Sequence, residues 1–99
     1  MDHDHKVARA AEIQRTIAQT LLHDWDPIGV QDVPQAQSEY DRYVGSVYRL
    51  LASGMPPRVV AEHLARIQDE EMGLSGGRVE DLLPVAEALC RIDVRIERA

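Results

Sequence analysis

The stretch Val7-Ala-Arg-Ala-Ala-Glu-Ile-Gln-Arg-Thr-Ile-Ala-Gln-Thr-Leu-Leu22 decides the fold. Its apolar positions Val7, Ala10, Ala11, Ile13, Ile17, Leu21 and Leu22 recur at steps of three and four, which places them along one side of an α-helix. Arg9, Glu12, Arg15 and Gln19 take the other side. The spacing predicts a first helix ending near His23, because Pro27 cannot continue it and Gly29 favours a turn.

The same period returns three times toward the C-terminus. Tyr40, Val44, Val47, Tyr48 and Leu51 form a second stripe, widened by Tyr43 and Leu50, with Ser38 as expected N-cap, Asp41 three residues on, and Gly54 as the stop. Pro56 and Pro57 suit a helix entry, and Val60, Leu64 and Ile67, with Val59 beside them, make the third stripe. Glu62, Arg66 and Asp69 face water, Met72-Gly73-Leu74 is a glycine-terminated helix end, and Ser75-Gly76-Gly77 is a connector. A fourth helix is expected to start between Arg78 and Asp81, with Pro84 in its first turn and Val85, Leu89, Ile92 and Ile96 as its stripe. No run alternates for five residues between turn signals, and Ile28-Gly29-Val30 has nothing to pair with. The prediction is an all-α fold: a small antiparallel four-helix bundle, one domain over residues 1–99, with one long ordered loop between the first and second helices. Residues 1–5 are expected to be disordered.

Composition narrows the function classes. The 99 residues carry 11 Lys plus Arg against 17 Asp plus Glu, a formal charge of −6. A nucleic-acid binder needs the opposite surplus. One cysteine, Cys90, excludes an internal disulfide framework and a cysteine-rich zinc module. The polar start Met1-Asp-His-Asp-His-Lys6 precedes no apolar signal region, and no stretch is apolar enough for a membrane span, so the expected compartment is the cytoplasm. With no Phe, three Tyr and one Trp, the core must be chiefly aliphatic.

The densest chemistry lies in Leu21-Leu-His-Asp-Trp-Asp-Pro-Ile-Gly-Val30 and Glu39-Tyr-Asp-Arg-Tyr43. One reading makes the segment a packed corner: Asp24 and Asp26 bond backbone N–H groups, Gly29 supplies a positive φ, and Trp25 plugs the bundle end while donating its indole N–H to a loop carbonyl. The other reading makes it a partner surface, in which Asp24, Asp26, Asp32, Glu39 and Asp41 supply charge and Trp25 and Tyr43 are aromatic anchors. A third reading gathers His23, Asp24, Asp26, Glu39 and Asp41 around a divalent ion, as a metal-dependent enzyme or small-ligand site. Carboxylate bundles that hold metal use acids and His at i, i+3 spacing. No acid here has another acid three residues later, and only Asp2 has a His there, His5. The Asp2-His3-Asp4-His5 run itself reads as a terminal segment.

Nucleophilic catalysis finds little. Cys90 lies on an apolar stripe, Ser46, Ser53 and Ser75 lack an elbow or triad context, and His63 sits at a boundary between core and water. Gly73-Leu-Ser-Gly-Gly77 lacks the Lys and preceding strand of a phosphate loop and reads as a turn. Asp69-Glu70-Glu71 opposes the dipole of the third helix and reads as a solvated end.

Trp25-Asp-Pro-Ile-Gly-Val30, followed by Glu39-Tyr-Asp-Arg-Tyr43, resembles the signature of a family of small, uncharacterised bacterial helical proteins. Leu21-Leu22, Leu50-Leu51, Gly54 and Met72-Gly73-Leu74 extend the likeness over residues 20 to 90. The resemblance implies a helical fold and, loosely, a toxin-immunity setting; it implies no chemistry. Pro84 and the His-rich start depart from the pattern. The functional expectation is a non-enzymatic, acidic interaction module without cofactor, immunity-like, that binds a basic protein partner such as a toxin. Neither nucleic acid nor membrane is expected as a partner, and homodimerisation through the second or fourth helix stays open.

Overall fold

The computed structural model describes residues 2–74 and 77–96, with the side chains of residues 2–4 outside that description. Helix α1 spans Asp2–Thr20, α2 Val44–Ala52, α3 Pro57–Arg66 and α4 Val79–Cys90; among the described residues there is no strand. The fold is therefore an all-α bundle, and among the described residues no helix is long and apolar enough to cross a membrane. Ser75, Gly76 and the side chains of the Asp2-His3-Asp4 run lie outside the described residues.

The core follows from the helical period. Ile13, Ile17 and Leu21 from the first helical run, Val47 from α2, Val60, Ala61 and Leu64 from α3, and Ala86 and Leu89 from α4 are essentially inaccessible to water. Burying a large aliphatic side chain of this kind stabilises by about 1.5–3 kcal/mol. The α3–α4 pairing is the most extensive between helices, and the small Ala61 and Ala86 occupy fully buried positions in it. At the opposite extreme, Val7 is 55% exposed although the period puts it on the apolar stripe of α1.

Several boundaries differ from the sequence expectation, each for a local reason. Helix α1 starts at Asp2 and gives way to a wide turn, Leu21–Trp25, closed by an i→i+5 bond from the Asp26 N–H to the Leu21 carbonyl (2.9 Å). Ser38 caps nothing: α2 begins only at Val44, after a 3-10 turn at Asp41–Tyr43, and Tyr40 leaves the helical stripe to serve the loop. Pro84 sits well inside α4 rather than in its first turn, where its missing N–H leaves the Glu80 carbonyl without its intrahelical donor. Helix α4 stops at Cys90, so Ile92 and Ile96 pack against the core from a non-helical tail.

One side chain clasps that tail as well. The Arg9 guanidinium, 9% exposed, donates to the carbonyls of Asp93 (2.6 Å) and Arg95 (3.0 Å) and pairs with Glu12. Asp93, held well below the usual carboxylate range by hydrogen bonds from Arg95, stands beside it.

Candidate functional site

The long loop is organised by its first residue. Asp26 has φ 34° and ψ 58°, a left-handed conformation that costs a non-glycine residue about 1–2 kcal/mol. Its carboxylate offsets that cost with three bonds. It accepts from the Val30 N–H (2.7 Å), the Gln31 N–H (3.2 Å) and the Tyr40 hydroxyl (2.7 Å). The Tyr40 oxygen in turn accepts from the Ile28 N–H (3.2 Å). Gln37 completes the frame: its amide nitrogen lies within 2.9–3.3 Å of the Val30, Gln31 and Val33 carbonyls. Gly29, at φ 68°, supplies the positive-φ turn expected of it.

Electrostatics reinforce this arrangement. Partial burial works against a charge on Asp26, yet the Tyr40 hydroxyl and the two loop N–H groups outweigh it and hold the carboxyl below its ordinary value. Burial, together with the Asp26 charge, pushes the Tyr40 phenol above its ordinary range, so Tyr40 stays a donor.

Trp25 closes the corner from below. It is buried, 5.3 Å from the Tyr40 ring and edge-on to Tyr43 at 6.0 Å. Its indole N–H donates to Gln68 Oε1 (2.8 Å), not to a loop carbonyl. Gln68 belongs to a second wide turn, Ile67–Glu71, that ends α3.

The candidate residues therefore divide. Asp24, Asp32, Glu39 and Asp41 are exposed on or beside the loop, and none joins an ion pair among the described residues. Asp26 is spent on the loop backbone, and Asp24 shows no backbone bond of the kind expected for it among the described hydrogen bonds. Trp25 and Tyr43 are core residues, so they are not exposed anchors. His23, Asp24, Asp26, Glu39 and Asp41 do not converge: among the described residues no three His, Cys, Asp or Glu side chains come together as a metal site.

Two residues that sequence reading set aside do meet. Ser46 Oγ lies 2.8 Å from His63 Nε2 and 3.0 Å from the Tyr43 carbonyl. A hydroxyl has one proton, and a carbonyl can only accept. Ser46 can thus donate to only one of the two at a time, and which way its bond with His63 runs follows the tautomer of the ring. Burial and the nearby Arg66, partly countered by Glu71, hold His63 below its ordinary value, which keeps the ring neutral. No sequence spacing signals this pair, since the partners are 17 residues apart on different helices. Cys90 is half-buried near the Met55 carbonyl, and burial with the neighbouring Glu87 pushes its thiol up, away from reactivity.

Two open grooves flank α1. One, of about 290 Å³, is lined by His5, Ala8, Arg9, Glu12 and Ile96, and its guanidinium is already bonded to the tail and to Glu12. The other, of about 350 Å³, runs along Ala11, Gln14, Arg15 and Ala18 to Asp41 and Val44. Neither brings together an acid, a base and a nucleophile. No protein-family model, no curated protein and no solved structure matches this chain. Its own residues carry the functional reading.

Proposed function

We propose that this protein is a non-enzymatic interaction module whose acidic loop docks on a basic protein partner, in the manner of an immunity protein on its toxin. One observation carries this reading: Asp24, Asp32, Glu39 and Asp41 stand exposed around a loop whose backbone is bonded by its own side chains. Charges on a preorganised frame steer an oppositely charged partner and suffer little ordering cost on contact. The net charge of −6 acts in the same direction at longer range. The metal-site alternative lacks such support, because its five residues do not converge.

The test is capture from the native lysate with the wild-type chain and with the triple variant Asp24→Asn, Asp32→Asn, Asp41→Asn. A basic protein retained by the first and released by the second is the expected result. A partner set indifferent to the three substitutions overturns the assignment.

A further inference from the structure

The loop is built inside out. Asp26, Gln37 and Tyr40 turn their polar groups onto its backbone, while Ile28 and Val33 remain 42% and 41% exposed. Of the large apolar residues exposed among those described, the others are Val7 on α1 and Met55 between α2 and α3. A single exposed aliphatic side chain is ordinary. Two on one segment whose backbone is already fixed offer contact area that needs no further ordering. Trp25 and Tyr43 are buried, so the apolar share of any contact at this loop falls to Ile28 and Val33.

The mode of contact is also constrained. The Val30 and Gln31 N–H groups and the Val30, Gln31 and Val33 carbonyls are occupied by Asp26 and Gln37, so an added strand would find few free partners there. A helix face, which needs only side-chain contact, fits instead. The exposed carboxylates on and beside the same loop choose its charge, and lysine and arginine provide both an apolar stem and a cationic head.

We propose that Ile28 and Val33 anchor a docking surface for a cationic amphipathic helix of a partner protein, whose lysines and arginines pair with Asp24, Asp32, Glu39 and Asp41. This rests on the loop being the partner surface and adds the apolar face that the partner must present.

Two synthetic Lys/Leu peptides of identical composition separate the ideas: one patterned at the helical period, the other scrambled so that no apolar face forms. Binding is read by calorimetry and by amide shift mapping on the intact protein. The wild-type chain should bind the patterned peptide about tenfold tighter than the scrambled one. Shifts should concentrate in residues 26–41, and Ile28→Ser with Val33→Ser should abolish the preference while leaving weak, salt-sensitive binding. Equal binding of both peptides overturns the apolar anchors and leaves the acidic-module reading standing. Patterned-peptide binding that maps elsewhere, or survives the double substitution, likewise overturns the anchors. No binding of either peptide overturns both proposals. The mapping needs no variant, so a folding defect in the double substitution does not shield the idea.

Discussion

Two helices of this protein end alike and then diverge. After α1 and after α3 the chain opens into a five-residue wide turn, closed by Asp26 N–H to Leu21 (2.9 Å) and by Met72 N–H to Ile67 (3.1 Å). Each then needs a left-handed residue to leave the helix axis. At the first corner that residue is Asp26; at the second it is Gly73, at φ 66°. Glycine meets the requirement without strain and without consequence, and a Cβ there would meet nothing within 4 Å. Aspartate meets it at a cost, and the carboxylate that offsets the cost also bonds the next stretch of chain. The same backbone problem therefore yields a plain exit at one corner and an organised surface at the other. Trp25 joins them, since its indole bonds Gln68 of the second turn.

Removing that joint should have the largest effect. Trp25→Ala deletes a buried ring, two aromatic contacts and the Gln68 bond, and is expected to cost about 3–5 kcal/mol. A Tm lowered by at least about 12 °C would show it in thermal unfolding. A small shift would mean that the corners stand independently.

Asp26→Gly asks whether the first corner needs its carboxylate or only its backbone angle. Glycine relieves the strain but removes three bonds, so a net loss of about 1–3 kcal/mol is expected, with faster amide exchange at Val30 and Gln31. An unchanged Tm would reduce Asp26 to a turn residue. The carboxyl also sets a pH signature. Its folded pKa lies below the ordinary 3.8, so its contribution is present above that pH and lost as pH falls through the folded value. Asp26→Asn should flatten that acid limb.

Gly73→Ala tests the second corner and should cost about 1–2 kcal/mol from the backbone alone, leaving amide exchange in residues 26–40 untouched. Slower or faster exchange in that loop would show that the second corner also shapes the first. The smallest effect belongs to His63→Gln. Neutral His63 is favoured in the fold, so its contribution is present above pH 6.5 and declines as pH falls through its lower folded value. Glutamine can still donate to Ser46 and does not titrate, so unfolding monitored between pH 7 and 5 should lose part of its slope.

The helical stripes were legible because burial of Ile13, Ile17, Val60, Leu64, Val85 and Leu89 follows directly from spacing. Gly54 and Gly73 were legible as helix ends because a positive φ is what glycine is used for. Ser38 misled, because an N-cap residue is equally at home in a turn, and Tyr40 gains more from Asp26 than from continuing a helix. At the loop, the acids could be named but not sorted. Which of them is spent inward depends on Asp26 being left-handed and on Gln37 reaching back, neither of which any local pattern encodes. The aromatic residues were placed two ways, as a packed corner and as a partner surface, and burial of Trp25 and Tyr43 bears out the first. Residue type alone fits either place, and in a protein with no Phe these rings are needed inside.

The Arg9 clasp has a kinetic meaning. Its bonds to the Asp93 and Arg95 carbonyls span 84 and 86 positions, so making them closes almost the whole chain into a ring. Closure entropy rises with ring size by about 0.6 kcal/mol per doubling, so a contact this remote carries a cost that contacts within and between neighbouring helices do not. The expectation is a clasp that forms late in folding and opens early in unfolding. Weakening it would speed unfolding while leaving the folding rate nearly unchanged, making Arg9 a governor of how long the native state lasts rather than how fast it forms.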